Sequence, residues 1–474
     1  MHNNLTKETP LQSFHRPINR LGVLLLSIEA LILIASFYVG VAVRFSPLGH
    51  LHFDRVPDLL PQAVVFASVM ILSMQFMGMY HLTHREDMRH TLLRLMPSFT
   101  MGFGLISLIV YIAPIAYFGR GIVLIVMILA TLGVLLTRSI YCSNYVLNLL
   151  RPNILILGAG ELANECAHTG GSAKNPIRFK VVGFAPLHEG KTVVDKDKIL
   201  PADQSLMSLV TTHQVDEIVV AIQQRDNKHF PIQQLLECKL NGITVVDAST
   251  FFEREMNHIR VNSLHPSWLV FGGGFDQSAL RAAIKRVFDL ISSITLLVIT
   301  LPVMLIATLC ILLEDGGPVL YRQERIGLEG RPFTVYKFRS MRKDAEKSGK
   351  PQWATQNDSR ITRVGNIIRT LRIDELPQIF NVLKGEMSLV GPRPERDFFV
   401  RQLCEQIPYY NLRHSIKPGV TGWAQVRYQY GSSVEDSLQK LQYDLYYVKN
   451  NNLFLDIVIL MDTVWVVLTG KGSR

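Results

Sequence analysis

The chain has 474 residues, 48% of them hydrophobic and 19% charged, with 49 Lys and Arg against 39 Asp and Glu for a net charge of +10. That length predicts two or three domains, and a mean hydropathy of +0.20 argues against a wholly water-soluble chain. The basic balance favours an anionic partner such as lipid headgroups or phosphates, but not nucleic acid, because the aromatic residues do not interleave with the basic ones in a patch.

Residues 1–150 carry four apolar runs, at 21–43, 59–80, 95–117 and 121–137. Each is near the ~20 residues that a helix needs to cross the hydrocarbon core, so this region is expected to be a four-helix transmembrane unit. Glu29 inside the first run has two readings, a polar contact between helices or a functional intramembrane acid. Lys7, Arg16 and Arg20 precede the first run, Arg85, Arg89 and Arg94 separate the second from the third, and Arg138 and Arg151 follow the fourth. Only Arg44, Arg55 and Arg120 lie in the alternate loops, so the N-terminus, the middle loop and everything after Arg138 are expected in the cytoplasm. No small-residue cleavage site follows the first run, so no cleavable signal peptide is expected. The five cysteines (Cys142, Cys166, Cys238, Cys310 and Cys404) have no ligand-like spacing and read as reduced thiols.

Residues 151–270 read as an α/β module. The apolar stretch Asn153–Leu157 is a buried parallel strand by composition, followed by Gly158-Ala-Gly160 and a helical pattern. Strands are predicted at 180–184, 217–222 and 244–247, with helices near 204–213 and 231–240, which is the alternation of a Rossmann-like parallel sheet. Gly158 and Gly160 make this turn a candidate nucleotide contact. An acidic ribose ligand is missing after the second strand, where Phe184-Ala-Pro186 stands, and no Tyr-x-x-x-Lys pair occurs. A structural or regulatory module is therefore favoured over a redox site.

A linker, Phe271-Gly-Gly-Gly-Phe275, leads into Arg281, Lys285, Arg286 and Asp289 and then an uncharged apolar run at 290–313. Cations flank both ends of the run and Pro302 sits at its middle, where a proline removes a helix hydrogen bond. A re-entrant hairpin of that run, entering and leaving by the cytoplasmic face, fits these facts, so that 271–313 is expected to be linker and re-entrant membrane helix together; a fifth crossing is the alternative.

Beyond residue 314 a series of motifs runs in order. They include Tyr336-Lys-Phe-Arg-Ser-Met341, Arg369-Thr-Leu-Arg-Ile-Asp-Glu-Leu-Pro-Gln378, Asn381-Val-Leu-Lys-Gly385, Ser388-Leu-Val-Gly-Pro-Arg-Pro-Glu395 and Lys417-Pro-Gly-Val-Thr-Gly-Trp-Ala-Gln425. With Lys285-Arg-x-x-Asp289 and Arg322-Gln-Glu-Arg325, they resemble the bacterial sugar transferases, the polyprenyl-phosphate hexose-1-phosphate transferases, over about 280–474. The whole chain looks like the long form of that family, in an exopolysaccharide subgroup. The implied fold class is a membrane protein of α plus α/β type: four transmembrane helices, a Rossmann-like parallel-sheet module, then a mostly helical catalytic domain over 314–474 with a re-entrant membrane helix.

The resemblance implies transfer of a hexose-1-phosphate from a UDP-sugar to undecaprenyl phosphate at the bacterial inner membrane, releasing UMP. Asp374 would be the nucleophile and Glu375 the ligand of Mg²⁺. Lys337, Arg339, Arg369, Arg372 and Arg393 would offset the charge of two anionic substrates; Arg gives planar bidentate phosphate contacts and Lys a point charge. Substrate contacts would fall on Arg322, Arg325, Pro392, Pro394, Trp423 and Gln425. The partners are then polyprenyl phosphate, a nucleotide sugar and membrane lipids, with the oligomeric state, homo-oligomers included, left open. Two departures from the family pattern are Leu301, where Ser is common before the proline, and Arg427, where Asn is common. His414 reads as structural. The segment 453–468, apolar but for Asp456 and Asp462, reads as an interfacial helix or a buried core helix. Two other functions stay open: an NAD-dependent enzyme acting on nucleotide sugars, disfavoured by the missing ribose acid, and a non-catalytic scaffold of a polysaccharide assembly machine, disfavoured by the intact Asp-Glu pair.

Overall fold

The computed structural model describes residues 20–45, 59–77, 79–80, 88–112, 120–141, 151–169, 179–186, 192–201, 204–222, 230–261, 264, 274–275, 278–342, 360–428, 431 and 433–468. It forms two units, Met1–Arg151 and Pro152–Arg474. Most of the Phe271-Gly-Gly-Gly-Phe275 linker lies outside the described residues.

In the first unit the apolar runs form four helices: α1 (Arg20–Phe45), α2 (Leu59–Phe76), α3 (Met88–Ile112) and α4 (Arg120–Tyr141). Each contains 18 to 22 residues of mean hydropathy 1.7 to 2.3, long and apolar enough to cross a membrane. Large apolar side chains such as Leu31, Leu72 and Leu132 point outward, which water would penalise and lipid would cover. This is the pattern of a membrane protein. Glu29 takes the first of its two readings. Its carboxylate accepts from Arg138 Nε at 2.6 Å and Nη2 at 3.0 Å. Both side chains are fully buried, and Arg138 Nη1 also donates to the Met79 carbonyl at 2.9 Å. The acid therefore joins α1 to α4.

In the second unit, β1 (Asn153–Leu157), β2 (Lys180–Ala185), β3 (Glu217–Val220) and β4 (Thr244–Asp247) form a parallel sheet in the order β2-β1-β3-β4. Helices α5 (Glu161–His168), α6 (Leu206–His213), α7 (Ile232–Leu240) and α8 (Ala248–Met256) alternate with the strands. Both faces of the sheet are packed, with Phe251 and Phe252 on one side and Leu209 and Val210 on the other. Such covering is what lets strands as apolar as β1 exist without alternation. Gly158 has a structural reason to be glycine: its φ is +123° and a Cβ there would stand 2.5 Å from the Ala221 carbonyl oxygen. Gly160 starts α5 with open space around it.

The remaining elements are α9 (Ala279–Asp315), the antiparallel hairpin β5 (Leu320–Ile326) and β6 (Pro332–Phe338), α10 (Arg363–Thr370), a 3₁₀ turn (Ile373–Gln378), α11 (Ile379–Lys384) and β7 (Ser388–Val390). After these come α12 (Asp397–Gln406), a 3₁₀ turn (Tyr410–Ser415), β8 (Gly419–Thr421) parallel to β7, α13 (Trp423–Arg427), α14 (Val434–Asn450) and α15 (Leu453–Leu468). The hairpin β5–β6 and the catalytic-type motifs fold around one core of Val335, Val382, Met387, Leu389, Trp423 and Ile459.

Helix α9 corrects one expectation. It stays helical through Pro302 over 37 residues; the proline removes one amide donor but does not end the helix. Its N-terminal part is held by Lys285 on Asp456 at 2.7 Å, Arg286 on the Val382 and Leu383 carbonyls, and Asp289 accepting from the Leu389 amide at 3.3 Å. Its C-terminal part is held as well: Met304, Ala307 and Ile311 pack on Phe338 and Ile368. Between these anchored parts, Val298, Ile299 and Leu301 are exposed. Helix α15 is of the core type: Ile459 is fully buried, Asp456 is paired with Lys285, and Asp462 with Arg427 at 3.3 Å.

Candidate active site

The candidate site is built where β6, the 3₁₀ turn after α10 and the loop after β7 meet. Two anchors set α10. The Glu314 carboxylate, at the end of α9, accepts from the Arg363 and Val364 amides at 2.8 and 2.9 Å. Thr362 caps the same end through the Gly365 amide at 2.9 Å. These contacts satisfy the orphan donors of a helix start. At the other end Arg372 adopts a left-handed conformation (φ 58°, ψ 19°), unusual for a residue with a side chain. It turns the chain from α10 into the 3₁₀ turn that carries Asp374 and Glu375. Backbone strain of this kind gathers at functional sites.

Glu375 is buried and ringed by cations. Its Oε1 accepts from Lys337 Nζ at 3.0 Å and Arg393 Nη2 at 2.8 Å, and Arg372 Nη1 stands 3.6 Å from Oε2. Burial alone would raise its carboxyl, but Arg393, Lys337 and Arg372 overcome that and hold it well below the usual range. Asp374 is its opposite. Its carboxylate makes no hydrogen bond or salt bridge among the described residues. Burial, then the charge of Glu375, push it up to about 6, against the opposing pull of Lys337, Arg369 and Arg393. Adjacent acids thus have opposite titration behaviour, which is how a site separates the roles of two carboxylates.

Arg393 comes from Pro392-Arg-Pro394. Both prolines are buried, and the loop is pinned at Gly391, where a Cβ would stand 2.4 Å from the Lys417 carbonyl oxygen. The Gly419 amide donates to the Pro392 carbonyl at 2.9 Å. Asn381, fully buried, ties α11 to β6 by accepting from the Tyr336 amide at 3.2 Å and donating to the Thr334 carbonyl at 2.6 Å. That bracket fixes the strand next to Lys337.

The structure therefore brings Asp374, Glu375, Lys337, Arg369, Arg372 and Arg393 together. It places the other expected residues differently. Arg339 is buried and donates to the Asp315 and Gly316 carbonyls at the end of α9, with Nη1 left unpaired. Arg325 grips the Pro394 carbonyl at 3.2 Å and the Glu395 carboxylate at 3.4 Å, so it supports the loop behind Arg393. Arg322 is exposed and lies over the Tyr336 ring at 5.8 Å. Trp423 is buried, stacks on Tyr446, and donates to the Asn257 carbonyl at 2.9 Å, joining the sheet module to the site-bearing part. Gln425 donates weakly to the Val420 carbonyl at 3.4 Å and keeps Oε1 buried without a partner. His414 is neutral, its imidazole lowered to about 4 by burial and then by Arg413, in keeping with a structural role.

A divalent cation needs hard oxygen donors, and Mg²⁺ usually takes one or two carboxylates with the rest from water and phosphate. Among the described residues no group of three or more His, Cys, Asp and Glu could hold a metal. Glu375 Oε2, 3.6 Å from Arg372 Nη1, is the oxygen of the expected ligand that stands beyond hydrogen-bond distance of that cation. One such carboxylate fits a metal that takes its other ligands from water and phosphate.

A model of the family described as bacterial sugar transferase matches residues 280–470. Over 240 residues the chain is 43% identical to a UDP-N-acetylgalactosamine-undecaprenyl-phosphate N-acetylgalactosaminephosphotransferase of Aeromonas hydrophila, covering 51% of this chain and 56% of the relative. It is 34% identical over 330 residues to a UDP-glucose:undecaprenyl-phosphate glucose-1-phosphate transferase of Escherichia coli, covering 67% of each. It is 28% identical over 477 residues to an undecaprenyl-phosphate galactose phosphotransferase of Salmonella typhimurium, covering 92% of this chain and 95% of the relative. The aligned part spans only 56% of the first of these and 67% of the second.

Proposed function

The chain belongs to the bacterial sugar transferase family, and from that premise we propose that it transfers a hexose-1-phosphate from a UDP-sugar to undecaprenyl phosphate at the bacterial inner membrane. The observation that carries this reading is the contrast within one dyad: Glu375 is clasped by Lys337 and Arg393 while its neighbour Asp374 has no hydrogen-bond or ion-pair partner among the described residues.

In the first half-reaction an Asp374 oxygen attacks the phosphorus that bears the sugar. An O–P bond forms, the bond to the bridging oxygen breaks, and its electron pair leaves with UMP. In the second, an oxygen of undecaprenyl phosphate attacks the same phosphorus. The bond to Asp374 breaks, its carboxylate is restored, and the sugar is left on a lipid diphosphate. Aspartyl phosphates are known covalent intermediates. With its carboxyl near 6, Asp374 is ionised at neutral pH and retains more basicity than an ordinary aspartate. Lys337, Arg369, Arg372 and Arg393 face the charge that gathers on the phosphoryl oxygens, and holding two of them on Glu375 orients them before substrate arrives. A magnesium ion held by Glu375 with the substrate phosphates would add charge neutralisation there.

The topology proposed is four crossings by α1–α4, with the second unit on the cytoplasmic side as the charge distribution directs. For α9 the proposal is a re-entrant course. A straight helix of its 37 residues is about 55 Å long. Crossing the bilayer would send its ends to opposite sides, yet one folded body holds both. Entry and exit through one leaflet, with a bend at Pro302 that leaves the helix continuous on either side, would reconcile the exposed apolar middle with the anchored ends.

The test is UMP release by purified protein in lipid discs with Mg²⁺, undecaprenyl phosphate and a panel of UDP-sugars, with Asp374→Asn alongside. Release that requires the lipid phosphate and vanishes in the variant supports the reading. Equal release from the variant sinks the nucleophile assignment, and no release from any UDP-sugar sinks the activity.

A further inference from the structure

A buried arginine stands behind the site, on the far side of the loop that carries Arg393. This is Arg413, in the 3₁₀ turn after α12, only 6% exposed. Its Nη2 donates to the backbone carbonyl of Arg393 at 2.8 Å. The same nitrogen stands 2.8 Å from Asp444 Oδ2 on α14. Its Nη1 donates to the Tyr410 hydroxyl at 2.7 Å. Asp444 and Tyr410 are themselves buried, so the guanidinium is fixed from two sides and presents one donor to the loop. One residue further along, Arg325 grips the Pro394 carbonyl. Two arginines thus hold consecutive carbonyls of a loop whose prolines already restrict its backbone. The one charged side chain between those prolines, Arg393, reaches forward to Glu375.

A charged, buried, fixed donor costs stability unless it is paired, and two neutral partners on the loop would have satisfied the carbonyls at lower desolvation cost. What the guanidinium supplies is direction: a planar fork held by Asp444 and Tyr410 allows the Arg393 carbonyl one position. From this geometry we propose that Arg413 is a positioning residue for Arg393: it fixes the backbone from which Arg393 meets Glu375 and the substrate phosphates. Asp444 and Tyr410 fix Arg413 in turn. The inference rests on the proposed transferase function for its kinetic consequence but not for its structural one.

Two measurements test it. The first is a double-mutant cycle on UMP release with Arg413→Gln, Arg393→Ala and both together. Arg413→Gln is expected to lower kcat roughly 10–100-fold, the range for loss of a charge-assisted hydrogen bond, and to have little further effect once Arg393 is gone. Independent sites add, so additive losses would overturn the proposal. The second is hydrogen exchange of the peptide spanning 391–396, in which Gly391, Arg393, Glu395 and Arg396 keep an amide hydrogen. Arg413→Gln should speed exchange there by at least about tenfold with α1–α4 unaffected; unchanged exchange would overturn the proposal. If Arg413→Gln fails to fold, Arg413→Lys keeps a charge opposite Asp444 but cannot serve all three partners, and it should show the same two effects in weaker form. A wild-type protein that releases no UMP would sink the transferase reading alone, because exchange still decides the positioning.

Discussion

Asp374 should make the folded protein less stable when it is ionised. Burial and the neighbouring Glu375 raise its carboxyl from 3.8 to about 6 in the fold. A group raised in this way contributes fully to stability below its unfolded value, and that contribution is lost as pH rises through about 6. A shift of this size corresponds to about 3 kcal/mol at neutral pH, and water at the half-buried carboxylate trims it to about 2–3 kcal/mol. Asp374→Asn cannot ionise and so removes the cost. For a domain of this size 1 kcal/mol moves the melting temperature by roughly 2–4 °C, so at pH 7.5 the variant should melt about 4–12 °C above the wild type in detergent. By pH 4 the wild-type carboxyl is protonated in the fold and the gap should nearly close, to well under about 1 kcal/mol. A variant that melts at or below the wild type at pH 7.5, or a gap as wide at pH 4, would refute the reasoning. The same change abolishes the proposed nucleophile, so stability and activity should move in opposite directions.

Two further substitutions probe the frame. Glu29→Gln leaves Arg138 buried without its counter-ion and should destabilise the first unit by about 3–5 kcal/mol, whereas Glu29→Leu with Arg138→Leu should recover most of that loss; thermal melting of the two variants beside the wild type decides. Asn381→Ala strands the Tyr336 amide and Thr334 carbonyl beside Lys337 and should cost about 2–4 kcal/mol, with a lower kcat for UMP release than the loss of folded protein explains.

The sequence was most legible where one periodicity suffices. The strands β1 to β4 and helices α6 and α7 fall within two or three residues of their predicted bounds, because short apolar runs separated by amphipathic stretches have few other ways to pack. The four apolar helices were legible for the same reason. The dyad and its cations could be found through motif order, but the separate fates of those cations could not. Lys337 and Arg339 are two residues apart in one motif, yet one meets Glu375 and the other closes the end of α9, a distinction made by residues 20 to 40 positions away. Trp423 and Arg325 looked like substrate contacts for the same reason: a motif records which residues sit near a site, not which of their atoms are already bonded. Arg413 gave no signal beyond standing beside His414, since its partners Asp444 and Arg393 are distant in the chain. Helix α9 shows the limit of reading a proline locally, because tertiary anchors at both ends kept the helix intact through Pro302.

Holding α9 by both ends has a mechanical consequence. The apolar stretch between the anchors cannot slide along its axis or rotate without breaking Lys285 on Asp456 or Arg339 on the carbonyls of Asp315 and Gly316. On the proposed re-entrant course, its immersion would set the height of Asp374 above the lipid like a fixed keel. A lipid-borne phosphate, confined to the headgroup plane by its own tail, would meet the carboxylate at a constant depth, and the search for the acceptor becomes two-dimensional.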